Sequence, residues 1–354
     1  MADDCDPSYS VTFYDRGGQI IPSPDRIATL SWGRNLDAVS RARITYTITS
    51  DDCCANLGYL EAVVHECAIR RNDDLVWYGW LQQPEYSKGS VEIPCVDALW
   101  WLNKRVIHKD IKWNNTDLSD IFNDIWEEVI VNTDNIRAFT TITQSGTKET
   151  REVLATTNRT GWSVTQEMLD TGLDITVVGQ NVFGGIPFNE APRQIKLSDM
   201  QGNPSVLKDG EQFATRVIVD ANQDIQATYP EGPGWSGSDY YPLVEEVVRD
   251  SQIQDVQSAL NAAKARYEYT RTVPRVINLR DGLTLSPSTT LTFDDLIPGR
   301  RVIVDTDGLC YNTKEEFRIG VVDVDVAGGI ETIRLGLQPK GPAGGLANIE
   351  DPLV

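Results

Sequence analysis

The sequence is poor in the residues from which most active sites are built. Its 354 residues hold two histidines, three methionines and six cysteines. His65 and His108 stand far apart, so no HExxH or HxH metal signature exists. No G-x-S-x-G nucleophile elbow occurs, and Gly184-Gly185 and Gly344-Gly345 lack the spacing and following helix of a phosphate loop. Positive charge is also scarce: 32 Lys plus Arg stand against 52 Asp plus Glu, for a net charge of −20. The deficit is spread, at −5 over residues 1–110, −6 over 111–200 and −9 over 201–354. Gripping nucleic acid through its phosphates, or docking on anionic lipid, needs a cationic surface that this balance excludes. No apolar run approaches the ~20 residues of a spanning helix. The nearest, 175–188, is broken by Thr, Gln, Asn, Gly and Pro. The opening residues Met1-Ala-Asp-Asp-Cys-Asp-Pro7 have neither the basic nor the apolar stretch of a secretory signal. The expectation is a cytosol-made chain without membrane insertion, its thiols reduced and too sparse for a disulfide scaffold.

What is present is β-pattern. Tyr9-Ser-Val-Thr-Phe-Tyr14 and Arg43-Ile-Thr-Tyr-Thr-Ile-Thr49 alternate apolar with polar residues, and Leu75-Val-Trp-Tyr-Gly-Trp-Leu81 is an aromatic-rich strand. Leu60 to Cys67 is ambiguous between strand and helix. Turn residues punctuate these runs, which predicts a first β-barrel domain over 1–105. A mixed α/β domain is expected over 106–204. One helix is capped by Thr116 and carries Leu118, Ile121, Phe122, Ile125, Trp126 and Val129; a second starts at Thr160 and stops at Gly172. Strand pattern returns over 205–338 as a second β-barrel domain. It includes one long helix over 251–267, with Ile253, Val256, Leu260, Ala263 and Tyr267 on one face. Ala327-Gly-Gly329 reads as a hairpin turn. Residues 339–354 form a Gly/Pro-rich arm. No sequence repeat is visible. The fold class is mainly β with an α/β insertion.

Few residues point to chemistry. Cys53, Cys54, His65 and Cys67 offer zinc-type ligands, but not at the usual Cys-x₂₋₄-Cys or His-x₃₋₅-His spacing. Adjacent Cys53 and Cys54 would point to opposite faces of a strand, so inert thiols are the favoured reading. Carboxylate pairs such as Glu127-Glu128 and Asp294-Asp295 abound in so acidic a chain, and none is set apart as an acid–base pair. Trp77, Trp80, Trp100 and Trp101 are read as core aromatics over a sugar platform. Trp235, between Gly234 and Ser236, is the candidate exposed contact residue. No catalytic, metal or cofactor site is assigned, and the chain is read as a non-enzyme.

Several stretches, taken in order, resemble a known family. Leu75 to Leu81 followed by Val91-Glu-Ile-Pro-Cys-Val-Asp-Ala-Leu-Trp-Trp-Leu102 is similar to the end of the first domain in tail (baseplate) hubs of long-tailed phages. There a strand precedes the pattern x-C/A-x-D-x-x-x-x-L. Asn115 to Ile125, Thr160-Gly-Trp-Ser163, Gly172-Leu-Asp-Ile-Thr-Val-Val-Gly179, Asp209 to Asp220 and Asp295-Leu-Ile-Pro-Gly-Arg-Arg-Val-Ile-Val304 continue the likeness. It looks most like minor tail proteins of phages infecting actinobacteria.

The resemblance implies a homotrimeric virion protein in which each subunit gives two related barrels, so that six barrels meet a sixfold ring with pseudo-sixfold symmetry. Such a hub closes the tail tube and joins it and the distal tail protein to the tail-tip proteins. It also holds the tape-measure protein and lets genomic DNA pass without specific binding. It would be assembled in the host cytoplasm and reside at the virion's tail tip. Acidic groups facing the lumen would keep DNA sliding, a role that competes with simple solubility. Pro339, Pro342, Leu346, Ile349 and Leu353 would then belong to an arm that reaches a neighbour. The alternative is a receptor- or carbohydrate-binding tail protein that uses the Trp-rich strands, and a third reading is a cell-wall glycosidase.

Overall fold

The computed structural model describes residues 7–24, 27–48, 57–134, 136–169, 171–185, 191–201, 205–208, 213–222, 225–230, 242–249, 256–271, 275–278, 283–287, 289, 291–308 and 314–339. Its contacts fall into two units, Met1–Gly202 with Asp281–Val354, and Asn203–Arg280.

The first unit opens with β1 (Tyr9–Tyr14), β2 (Ile20–Ile21), β3 (Thr29–Asn35), β4 (Arg41–Thr47), β5 (Glu66–Arg71), β6 (Asp74–Leu81), β7 (Glu85–Ser87), β8 (Ser90–Val96) and helix α1 (Trp100–Lys104). A mixed segment follows: β9 (Ile111–Asp117), α2 (Leu118–Trp126), β10 (Phe139–Ile142), β11 (Lys148–Val153), α3 (Gly161–Leu169), β12 (Ile175–Val178), β13 (Asn181–Gly184) and β14 (Arg193–Lys196). The second unit holds β15 (Ser205–Lys208), β16 (Arg216–Asn222), β17 (Ile225–Tyr229), β18 (Glu245–Arg249), α4 (Val256–Thr270) and β19 (Arg275–Asn278). The chain then returns to the first unit with β20 (Leu283–Thr284), β21 (Arg301–Asp305), β22 (Lys314–Ala327) and β23 (Ile330–Pro339).

One 13-stranded sheet dominates, in the order β14-β21-β22-β3-β4-β8-β6-β5-β1-β2, with β20, β23 and β7 attached beside this path. Strand β22 pairs antiparallel with β3 from Val321↔Asn35 to Ala327↔Thr29. Strands expected in a first barrel over 1–105 and in a second over 205–338 are therefore hydrogen-bonded in one sheet. Residues 203–280, expected to open the second barrel, form the separate unit. There β17-β16-β18 packs Val217, Val219 and Ala227 against Ala259 and Ala263 of α4. Among the described residues the strand path keeps two open ends, so the two closed barrels expected are not seen.

Strand β6 explains the aromatic run. Residues Val76 to Leu81 are all buried, because the strand lies between two cores. Tyr78 and Trp80 join Leu99, Leu102, Phe122, Ile125, Trp126, Met168 and Ile175 in the mixed α/β core. The alternate residues of β6 face the sheet's other core, with Phe13, Trp32, Ile44, Tyr46, Ile69 and Ile93. A Cβ at Gly79 would run into the carbonyl of Val96, so the strand contact there requires glycine.

Arg34 joins the chain's two ends. It is 2 % exposed and points from β3 into this core. Its Nη2 donates to Val76 O at 2.9 Å, and its Nη1 donates to Phe293 O at 3.0 Å and Leu296 O at 3.1 Å. The guanidinium also stacks 5.3 Å from the Trp32 ring and 5.8 Å from that of Phe293. Burial lowers its pKa to about 10, so it remains a cation at neutral pH.

Several local expectations shift. Asp117, not Thr116, caps α2, accepting from Ser119 N at 3.0 Å, and the helix runs on as a π-turn over Glu127–Val131. Asp117 wins because its carboxylate also accepts from Ser145 N, Ser145 Oγ and Gly146 N, donors that a hydroxyl could not all satisfy. Residues 58–65 form turns before β5 rather than one strand or helix from Leu60. In α4, Leu260, Ala263 and Tyr267 of the expected face pack on the unit's core together with Ala259, while Val256 is 57 % exposed and Ile253 lies outside the described residues. Gly172 follows α3 at φ 118°, and Gly328 and Gly329 take positive φ in the two-residue β22–β23 hairpin, both as the sequence predicts.

Replacing Arg34 with Met strips a donor from three buried carbonyls and is expected to lower stability by about 3 kcal/mol or more. Urea denaturation of the full chain measures it, and a loss below about 1 kcal/mol would contradict the role assigned to Arg34. Gly79→Ala should cost at least about 2 kcal/mol by the same measurement, since strand and Val96 must separate.

Candidate functional site

Alternation along the strands puts Trp32, Ile44, Ile93 and Val324 on the buried side of the main sheet and short polar side chains on the other. That second face runs across β23, β22, β3, β4, β8 and β7. Cross-strand rows read Thr332–Asp325–Ser31–Arg43–Pro94 and Ile330–Ala327–Thr29–Thr45–Glu92–Glu85. Arg334 holds Asp325 at 2.7 Å, and Arg43 lies 3.3 Å from Glu92. Exposed pairs like these contribute at most about 1 kcal/mol each, so they set the pattern of the face rather than the stability of the sheet.

One corner is recessed. Arg43, Gln83, Pro84, Glu85, Tyr86, Glu92 and Pro94 line a recess of about 480 Å³. Tyr86 leans on the neighbouring turn through hydrogen bonds from its hydroxyl to Leu57 O at 2.9 Å and Leu60 O at 3.3 Å. The same turn exposes Tyr59, Val63 and Val64, with Tyr59 at 74 %.

The motif carboxylates that carried the family likeness turn inward. Asp97, 1 % exposed, accepts from Ser40 N at 2.7 Å and Leu99 N at 3.0 Å and so fixes the start of α1 on β4. Burial pushes its carboxyl up to about 7 against the pull of those bonds. Asp174 pairs with Arg318 at 2.8 Å. Asp295 accepts from Thr292 N and lies 2.8 Å from Arg193; despite desolvation, these partners hold its carboxyl below the ordinary range. It thereby shapes the 292–300 loop whose carbonyls receive Arg34. These aspartates build joints, and none faces a cleft in company suited to acid–base work.

The singled-out residues are dispersed. Cys67 is fully buried and lies beside Cys95, each a free thiol. His65 is partly buried, and its Nδ1 accepts from Glu61 N at 3.0 Å. Among the described residues no group of three His, Cys, Asp or Glu is placed to hold a metal ion. Cys53, Cys54, Trp235, Pro342, Leu346, Ile349 and Leu353 lie outside the described residues, and Pro339 ends β23 opposite Phe317. Trp77 and Trp80 are buried. Trp101 stacks edge-on to Trp80 and Trp100 and under Arg105, with Lys104 over Trp100, so these rings present no open platform. No described helix is long and apolar enough to cross a membrane. Sequence reading missed Arg34 and the polar sheet face. The alternation Thr-Leu-Ser-Trp-Gly-Arg over 29–34 was the signal for both.

No protein-family model matches the chain, and no curated protein is similar to it. Solved structures are similar along nearly the whole length. The 43 kDa tail protein of prophage MuSo2 from Shewanella oneidensis superposes with a TM-score of 0.64 at 12 % identity, over 94 % of this chain and 98 % of that one. A tail protein from Neisseria meningitidis MC58 gives 0.64 at 13 % identity, over 95 % and 98 %. The prophage tail protein gp18 of Listeria monocytogenes EGD-e gives 0.55 at 12 % identity, over 94 % and 95 %. At this identity the likeness establishes the fold, which is that of solved phage tail proteins. It lends no support to the actinobacterial host expected from the sequence.

If the polar face is a free surface of the chain, Thr45→Arg should change stability by no more than about 0.5 kcal/mol in thermal unfolding. A loss above about 2 kcal/mol would mean that the face is covered within the chain.

Proposed function

We propose that this chain is a structural protein of a phage tail and, within the tail, the hub that closes the tube and joins it to the tip. The observation that carries this reading is the end-to-end fold match to prophage tail proteins. In this reading the strands of 9–96 and those of 283–339 derive from the two related barrels, and three chains bring six such elements to a sixfold ring. The polar sheet face, with Thr29, Ser31, Thr45 and Thr332 in its cross-strand rows, supports packing of one subunit's strands against the next.

The partners follow: two further copies of the chain, the distal tail protein, the tape-measure protein and other tip proteins. DNA passes without being held, and the evenly spread acidity supports a wall that repels a phosphate backbone. The place of action is the virion's tail tip, after assembly in the host cytoplasm. A receptor- or carbohydrate-binding role would need an open aromatic platform, which Trp77, Trp80, Trp100 and Trp101 do not offer. The chain is read as a non-enzyme because its motif carboxylates act as structural joints.

Light scattering across a concentration series tests the reading. The expected mass is about three times 39.4 kDa, with ring-shaped particles in negative stain. A chain that stays at 39.4 kDa at every concentration reached, and binds polysaccharide saturably, would replace the hub with the receptor-binding role.

A further inference from the structure

The three-stranded sheet of the 203–280 unit has two faces of different character. On one, Val217, Val219, Ala227 and Val248 pack with Ala259 and Ala263 of α4, and Arg266 of α4 holds Glu246 at 2.7 Å. Alternation turns the intervening residues to the opposite face. Register arranges them there in three rows: Arg216–Glu245, Thr228–Ile218–Val247 and Gln226–Asp220–Arg249. Val247, in the middle row, is 55 % exposed. Arg216 holds Glu245 at 3.0 Å across the first row. Asp220 and Arg249 are exposed and opposite in register, and among the described residues neither has an ion-pair partner.

These four charges sum to zero on a chain of net charge −20, so copies that repel one another elsewhere meet no net repulsion here. Their signs also alternate. Strand β16 carries Arg216 before the Ile218–Val247 row and Asp220 after it, while β18 carries Glu245 before and Arg249 after. A copy laid face to face about a twofold axis parallel to the strands sets Arg216 on Glu245 and Asp220 on Arg249. An axis across the strands sets Arg216 on Asp220 and Glu245 on Arg249. In both cases opposite charges meet and the apolar row meets itself, whereas a partner surface charged with one sign would be repelled at two corners. We propose that this face recognises a second copy of the chain through a twofold, self-complementary contact. Its eight side chains make it small, so it belongs to the weak end of protein interfaces and forms at high local concentration. The contact is distinct from threefold assembly and does not rest on the tail reading, because it doubles whatever particle carries the face.

Sedimentation equilibrium of the full chain, in a concentration series reaching about 1 mM, tests it. The mass of the wild-type particle, whether one chain or three, should double towards the top of the series. Asp220→Arg with Glu245→Arg makes all four positions cationic, and this variant should not double. Arg249→Glu leaves three acidic positions and one cation, and should double at least about tenfold more weakly than the wild type. An equimolar mixture of the two variants should double more readily than either alone, because three of the four facing pairs become opposite in charge about either axis. A wild type that never doubles, a cationic variant that doubles as the wild type does, or a mixture no better than its parts overturns the proposal. If the charge variants fail to fold, Val247→Glu decides: loss of doubling supports the contact, and unchanged doubling overturns it. A threefold particle that persists in every variant leaves the hub reading standing whichever way the doubling falls.

Discussion

The first unit depends on one buried cation. Arg34 takes three carbonyl oxygens from two distant parts of the chain, Val76 in β6 and Phe293 and Leu296 in the loop before β21. A guanidinium is suited to this because its donors diverge in a plane and it keeps its charge when buried. An apolar residue there would leave those carbonyls without donors, and lysine would reach fewer of them. Nearby, Arg71 of β5 grips Glu331 of β23 through Nε at 2.7 Å and Nη2 at 3.0 Å, and Tyr9 of β1 donates to the same carboxylate. Both arginines stack on Phe293. The sheet thus curls so that strands distant in its hydrogen-bond order touch through side chains, with the apolar core on one side and the polar face on the other.

The mixed α/β segment is attached by a different chemistry. Strand β6 gives it Tyr78 and Trp80 as an apolar bed. Around that bed, carboxylates make the joints: Asp97 onto β4, Asp174 onto Arg318, and Glu66, buried at 2 % exposure, beside Tyr78 and Arg137. Buried carboxylates specify geometry more than they add stability, since desolvation offsets much of what their hydrogen bonds contribute. Their presence at joints rather than in a cleft is the physical reason that so acidic a chain shows no acid–base site among its described residues.

Much of the fold was legible because local pattern and tertiary role agree. The period-2 run of β1, the hairpin at Gly328-Gly329 and the Gly172 stop each follow from short-range rules. What was not legible depended on contacts far apart in sequence. Nothing local in Arg41 to Thr47 or Lys314 to Ala327 reveals that both flank β3. The 203–280 unit interrupts strands that belong together, so a reading along the chain places the boundaries at changes of composition instead. Among site residues, the motif aspartates were visible as a pattern but their work was not, because Asp97 and Asp295 act on backbone amides and on partners that sequence spacing does not bring near. Thr116 and Asp117 are both acceptable caps by propensity, and only the 145–146 turn decides between them.

The pairing of β22 with β3 also dictates how the molecule must come into being. Strand β3 emerges early from a ribosome, and its sheet partner emerges only after most of the chain has been made. Until then one edge of β3 offers open amides and carbonyls, and the Arg34 cation has only part of its carbonyl cage. Contacts of such long sequence separation form slowly, because the loop between them must be closed before they contribute anything. The nascent first half is therefore an incomplete sheet with a sticky edge, the kind of surface that chaperones cover and that truncation leaves exposed. A carboxy-terminal hairpin that looks peripheral in the chain is the piece that completes the core laid down at the start.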